Sequence, residues 1–543
     1  MRPTLPRVVG RRENLIIDED PNAGTVAADT CIVGGGPAGI ALALRLARDR
    51  DRRVLLLETG GLAFEAASQD LARAEIVGAS YFPLHETRIR ALGGSSWSWG
   101  GVCTPLDATA LEPRSWVPDG GWPIAAAELQ PYLDDALTLC QITDGHRRAA
   151  DEAAAAPYDA AGLDRRCAEP VPVYFSRPTR FGSAYREELA ALPNLTVRPH
   201  STVTGLRFAR GEIAWADASW RRSPFRVEAG SYVLACGGIE NARVLLVSGL
   251  GGPATGRYFM EHPRVVDRFR VRPGGTPLAR LIGDGIGRGL RFLRLAVAGE
   301  VQRKEQLLGS HANLQFDYAG QEGEPWAAMR RLLIAWRSPW NESPYYQDAG
   351  GGRLRARSAD VLSVLRRPDR AFLGTIGAVT GLPPLRRHLE MWTAVEQLPV
   401  AENCIELTDA RDALGVPMVR IHWSASAAEE RTYRRSREIL LGELEKLEPG
   451  IASAAVGNQD PWRARIVGNW HHEGTTRMSD NPALGVVDRD CCVHGIDNLY
   501  VAGSSVFPTS GSTSPTVTIL QLALRLADHL AAVDGSGVER SAR

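Results

Sequence analysis

The sequence predicts an α/β protein: a doubly wound nucleotide-binding domain, assembled from separated stretches of chain, with an inserted domain built on an antiparallel sheet. Three observations predict it. A strand, a glycine-rich turn and a helix follow one another near the N-terminus; strand-and-turn text returns at Tyr232 and again at Asn498; and between those returns lie six apolar runs, several alternating with polar residues. At 543 residues the chain is also too long for one simple core.

Taken in order, Thr30-Cys31-Ile32-Val33 is an apolar run that ends on three glycines, followed by a helix over Ala38 to Arg48 and a strand, Val54 to Leu57, that closes on Glu58. Gly34, Gly36 and Gly39 form G-x-G-x-x-G between strand and helix, and Glu58 stands 19 residues after Gly39. In that pattern Gly34 permits the sharp turn, Gly36 lets a pyrophosphate approach the backbone, and Gly39 lets helix and strand pack closely. The helix N-terminus offers free N–H groups to phosphates, and Glu58 accepts hydrogen bonds from the adenosine ribose. The motif alone leaves FAD and NAD both open.

From Arg88 to Pro105 runs a Gly-, Ser- and Trp-rich stretch too apolar for a free linker, so a buried, shaped loop is expected. Strands are predicted at Leu195 to Leu206 and Tyr232 to Ala235, the latter entering a glycine turn and an apolar helix from Ile239. The six candidate strands of the inserted sheet are Val265 to Val271, Phe292 to Val297, His311 to Tyr318, Met391 to Leu398, Cys404 to Thr408 and Met418 to Trp423. Their alternation is that of a sheet with one covered face. Arg-rich helical text from Trp326 to Arg387 reads as an excursion from that sheet, and Glu429 to Lys446 as a surface helix with one buried stripe. Asn498 to Leu530 returns to strand, turn and long helix. The expected division is 26–125, 171–263 and 463–536 for the nucleotide-binding domain, and 126–170 with 264–462 for the substrate-binding domain.

Composition removes several functional classes. Lys plus Arg and Asp plus Glu both number 63, so no net field draws a nucleic acid or an anionic membrane. Eight cysteines show neither metal-ligand spacing nor a secreted disulfide pattern. The N-terminus has no signal-peptide core and no run approaches a membrane span, so a soluble cytoplasmic protein with reduced thiols is expected.

Further blocks decide the cofactor. Arg90-Ala91-Leu92-Gly93-Gly94-Ser95-Ser96 with Gly100-Gly101, Val233 to Arg243, Gly256 to Pro263, and His471-His472-Glu473-Gly474-Thr475-Thr476-Arg477-Met478 with Val487-Asp488 and Asn498 to Ser505 occur in this order. They resemble the glucose-methanol-choline (GMC) oxidoreductases, and the resemblance covers both ends of the chain. It implies FAD, with Gly93, Gly94, Ser95, Ser98, Val203, Gly503, Ser504, Pro515 and Thr516 joining Gly34, Gly36, Gly39 and Glu58 around it. It also implies that His471, three residues before Gly474, takes the proton of a substrate alcohol while hydride passes to flavin N5. His472 either shares that pocket or packs beneath it, and Glu473 is expected to serve as a structural hydrogen-bond partner.

Two departures from the family pattern matter. Its second active-site position, usually His or Asn, falls on Ser514. The place of the histidine that carries covalent flavin in some members falls on Ser98, so the FAD is expected to be non-covalent. The C-terminal blocks look closest to sugar-oxidising branches. The implied substrate is therefore an alcohol on a sugar or aminosugar, an aminoglycoside intermediate of antibiotic assembly being the finer reading, with O₂ or another acceptor reoxidising the flavin. A flavoprotein subunit feeding a separate acceptor, and a lyase or decarboxylase of the same fold, are the alternatives. Asn313, Gln315 and Asp317 share one face by period-two alternation: turned into the pocket, that face, with Glu396 and Glu402, offers hydrogen bonds and negative charge to an aminosugar, and turned outward it faces solvent or finishes the polar side of the sheet.

Overall fold

The computed structural model describes residues 16–540 apart from 22–23, 177–178, 273–275, 279, 283–291, 318–324, 327, 330–331, 333–357, 373–387 and 457–459. Strand β1 (Thr25–Val33), helix α1 (Pro37–Leu46) and strand β2 (Val54–Leu57) form the predicted βαβ unit. β3 (Leu195–Arg198), β4 (Ser201–Ala209), β5 (Glu212–Trp220) and β6 (Ser223–Leu234) complete the path of the first sheet, in the order β3-β2-β1-β6-β5-β4. Leu499–Val501 pairs in parallel with β6. β3, β2, β1 and β6 are parallel, and their runs Ile32, Leu55, Leu56 and Val233 are buried on both faces. Helix α2 (Gly237–Ser248) follows β6, as the apolar text after Ile239 predicts.

The long last helix, α3 (Thr516–Arg540), packs on α1 and on the short helix Leu133–Leu139. Its Thr516–Val533 stretch is long and apolar enough to cross a membrane, which the sequence reading did not anticipate, but 56% of it is buried inside the protein. Its apolar surface is that of a core helix: Leu520, Ala523 and Leu526 join Ile40, Leu42 and Leu55 in the first core. Leu129, Ala136 and Leu137 belong to the same core.

The inserted sheet is antiparallel throughout. β7 (Arg264–Arg270), β8 (Leu293–Val297), β9 (Ser310–Asp317) and β10 (His388–Val395) stand in the order β7-β10-β9-β8, with Ala455–Val456 and Ala168–Pro170 at its edges. One face is covered by the helix Ala427–Glu445, whose Leu440 and Leu444 meet Phe269, Leu295, Leu314 and Met391. The other two predicted strands do form, as Cys404–Arg411 and Pro417–Trp423, but outside this sheet. They make a three-stranded sheet with Ala74–Gly78. Most of the excursion from Trp326 to Arg387 lies outside the described residues, and its Ser358–Arg366 stretch is helical.

Candidate active site

A cavity of ≈ 300 Å³ extends from the turn after β1 to the strands β7–β10. Gly34 and Gly36 lie on its wall, and the two behave differently. Gly34 has φ 110°, and a Cβ there would come within 2.5 Å of the Ala235 carbonyl oxygen, so the turn requires glycine. At Gly36 a Cβ would meet nothing within 4 Å, leaving a hollow open to a ligand. Gly36 is also the N-cap of α1; it is followed by Pro37 and offers no capping side chain, so the first N–H groups remain available to an anion. Gly39 is off the wall, where a Cβ would sit 1.9 Å from the Gly34 carbonyl oxygen, and it lets helix and turn pack closely.

Glu58 is buried on the cavity wall and accepts from the N–H groups of Gly35 and Gly60, each at 2.8 Å. Burial raises its pKa while those two donors oppose the rise. Each carboxylate oxygen keeps a lone pair for a ribose hydroxyl. Val203, Gly94, Ser95 and Ser98 line the same cavity, as do Gly503, Ser504, Pro515 and Thr516. Gly93 stands behind the wall, its α-carbon facing the Gly182 backbone. The donor set, the open hollow at Gly36 and the acid at the second strand fit a bound FAD.

His471, His472 and Ser514 line the cavity too. The loop carrying His471 is held by Glu261, whose carboxylate accepts from the backbone N–H groups of Asn469 and His471. The His471 ring is half-buried, and its Nδ1 lies 2.8 Å from Nδ1 of His262. Burial first, then His262, His472, Arg264 and Arg294, push the His471 pKa well below the ordinary imidazole value. The ring is therefore neutral at working pH and ready to accept a proton.

His472 both lines the cavity and packs within the protein. Its Nε2 is 3.0 Å from the Tyr81 hydroxyl, its ring stacks 5.9 Å from Phe259, and burial lowers its pKa to about 3. Glu473 differs from expectation. Its side chain is completely buried, and neither carboxyl oxygen has a hydrogen-bond partner among the described residues, so burial and the nearby Glu261 and Glu396 push its pKa well up.

The expected acidic wall also differs. Asn313 lines the cavity and accepts from Arg294 Nε at 2.8 Å, whereas Gln315, one pleat further along β9, donates to Glu390 at 3.0 Å. Glu396 is consumed by a buried pair with Arg114, and Glu402 is exposed. The Asp317 side chain lies outside the described residues. In their place the strands bring Arg264, stacked 4.6 Å over Trp392, and Arg294 to the cavity beside His471.

His311 was missed as a site residue. It is buried on the cavity wall, and its Nδ1 has no hydrogen-bond partner among the described residues. Its signal was faint, a single histidine at the start of an alternating strand. His262 lay in plain view inside Met260-Glu261-His262-Pro263, but nothing in that run says which distant ring it meets.

Two segments of the chain match known families. Residues 29–267 match the model of FAD dependent oxidoreductases, and residues 399–523 match that of GMC oxidoreductases. The chain is an FAD-dependent oxidoreductase similar to the GMC enzymes, and its reaction class is the oxidation of an alcohol to a carbonyl. Paromamine 6'-oxidase of Streptomyces fradiae is 25% identical over 93% of this chain and 91% of its own length. A second relative, 6'''-hydroxyparomomycin C oxidase of Streptomyces lividus, is 26% identical over 94% of each. Among solved structures, pyridoxine 4-oxidase from Mesorbium loti shares the fold with a TM-score of 0.57 at 16% identity, covering 92% of this chain and 99% of that one.

Proposed function

We propose that this enzyme oxidises an alcohol group of a sugar-like polyol, with His471 as the general base and a non-covalently held FAD as the oxidant. One observation carries the reading: the same cavity that opens at the Gly36 hollow contains His471, a neutral imidazole whose Nδ1 is occupied and whose other nitrogen is left for a ligand. FAD, when bound, supplies the acceptor for hydride from the carbinol carbon. Glu58 holds its ribose, the N-terminus of α1 at Gly36 receives its phosphates, and the loops at Gly94–Ser95, Gly503–Ser504 and Pro515–Thr516 enclose it. Ser98 offers no imidazole for a covalent link, which supports a separable cofactor.

At the substrate end His471 takes the hydroxyl proton. The hydroxyl of Ser514 and the unpartnered Nδ1 of His311 orient the carbinol and its neighbouring hydroxyls. The decisive variant is His471→Ala: it keeps its flavin, while anaerobic flavin reduction by the alcohol slows roughly 10²- to 10⁴-fold, the range for losing a general base. Full-rate reduction in that variant rejects the assignment.

The aminosugar reading has its own support in the two long relatives named for paromamine and 6'''-hydroxyparomomycin C. Arg264 and Arg294 beside His471 confine it: an ammonium group has to lie away from that end of the cavity while the oxidised hydroxyl points toward it. Glucosamine and glucose, compared anaerobically at limiting concentration and rising salt, separate the readings. A preference for the amine that weakens with salt supports an aminosugar, and equal, salt-independent rates leave a neutral polyol.

A further inference from the structure

We propose that His262 is a positioning residue that fixes the proton of His471 on Nδ1 and so leaves Nε2 as the bare, basic nitrogen for the substrate hydroxyl. The inference rests on the reading of His471 as the base. It follows from which of the facing atoms are able to donate.

His262 comes from the segment just before β7, and its ring is buried. Its Nε2 lies 2.9 Å from the carbonyl oxygen of Gly511 and 3.4 Å from that of Ser510. Carbonyls only accept, so Nε2 of His262 carries a hydrogen. A second proton on the same ring would make a buried imidazolium, which burial disfavours; the His262 pKa is lowered to about 4. Nδ1 of His262 is therefore a lone pair. It stands 2.8 Å from Nδ1 of His471, and two facing nitrogens need one proton between them. That proton belongs to His471.

A neutral imidazole protonated on Nδ1 has its free lone pair on Nε2. When the substrate O–H bond breaks, its proton forms the new Nε2–H bond and His471 becomes an imidazolium. The Nδ1–H bond to His262 then becomes charge-assisted, which offsets part of the repulsion from Arg264 and Arg294 at the moment the charge appears. The backbone at Ser510 and Gly511 thus sets the tautomer of a ring it does not touch. Glu261, the preceding residue, holds the backbone of the same loop, so adjacent side chains fix the His471 main chain and its ring.

The test uses FAD-loaded enzyme with ¹⁵N-labelled histidine rings, the His471 signals being identified by their loss in His471→Ala. Wild type is expected to show one neutral His471 tautomer with hydrogen on Nδ1. His262→Asn places an amide oxygen near the old Nδ1 and keeps an acceptor. His262→Gln puts no acceptor there and retains only the reach toward Gly511. His262→Asn is expected to keep the single tautomer and to reduce its flavin with glucose or glucosamine within about 10-fold of wild type, while His262→Gln shows mixed tautomers and a loss of about 10²-fold or more. Flavin content and thermal midpoint show whether each variant folds. A single Nδ1–H tautomer with wild-type reduction in His262→Gln overturns the proposal. If neither variant folds, the wild-type spectrum decides, because hydrogen on Nε2 of His471 refutes it outright. Full-rate reduction in His471→Ala instead refutes the base assignment, and the tautomer readout still judges His262 separately.

Discussion

At the scale of single residues, the proposed chemistry turns on imidazoles kept neutral by burial. An exposed histidine titrates near pH 6.5, and a base with that pKa loses activity as it protonates below that point. His471 is pushed well below this value, mainly by desolvation, so its basic form persists into mildly acidic solution. The rate of anaerobic flavin reduction at saturating substrate is therefore expected to stay level as pH falls from 8 to about 6. Stopped-flow measurement across that range checks it, and an acid limb centred near 6.5 would show an imidazole more exposed than this one. Removing a positive neighbour works in the opposite direction: Arg264→Met should raise the His471 pKa and move any acid limb upward.

At the scale of elements, the glycine turn separates binding from folding. Gly36→Val adds atoms where no protein atom stands within 4 Å, at a residue with φ −77° that any side chain tolerates. The apo fold should keep its thermal midpoint while FAD affinity falls by about tenfold or more, or ~1.4 kcal/mol. Gly39→Val drives its Cβ into the Gly34 carbonyl and should destabilise the fold itself by roughly 1–3 kcal/mol, the scale of overpacking. Flavin-to-protein ratio and apo melting, measured together, distinguish the two. This turn was legible because its geometry is local: the spacing of three glycines, a strand before and an acid after. The six inserted strands were legible too, by alternation, but alternation reports a covered face and not the partner that covers it. Hence Cys404–Arg411 and Pro417–Trp423 were grouped with β7–β10, although their third partner, Ala74–Gly78, lies more than three hundred residues earlier. The site shows the same limit. His471 stands in a motif, while the ring it meets is 209 residues away, and Gln315 and Glu396, both assigned to the substrate, turned to other partners.

At the scale of the whole molecule, buried charge ties the distant pieces of chain together. Arg114 reaches Glu396, just beyond β10, with both terminal nitrogens at 2.7 and 2.5 Å, and both side chains are at most 4% exposed. Arg114→Met strands that carboxylate and should cost about 3–5 kcal/mol in urea denaturation, with much of the loss recovered in Arg114→Met/Glu396→Leu. Buried groups also set the pH at which the protein is most stable. Burial lowers His262 to about 4 and His472 to about 3, and it pushes His471 and His311 down as well. Between pH 6.5 and about 4 the unfolded chain therefore binds protons that the folded chain refuses, and stability falls with falling pH by up to ~1.4 kcal/mol per histidine per unit. Buried carboxyls act the other way, Glu261 and Glu473 most strongly. Burial raises Glu261 to about 8 despite the backbone N–H groups that oppose it, and raises Glu473 as well, so their contribution is full below about 4.5 and declines as pH rises through 8. Below 6.5 the four histidines outweigh these acids, and above it only the acids act. The thermal midpoint of the FAD-loaded protein should therefore peak near pH 6.5, with a falling limb on either side. Scanning calorimetry from pH 4.5 to 9 tests this, and a midpoint still rising at pH 8, or flat down to pH 5, would mean these groups are not buried as the structure places them. His472→Asn should make the acid limb shallower and leave the alkaline limb unchanged, since it removes one refused proton without touching Glu261 or Glu473.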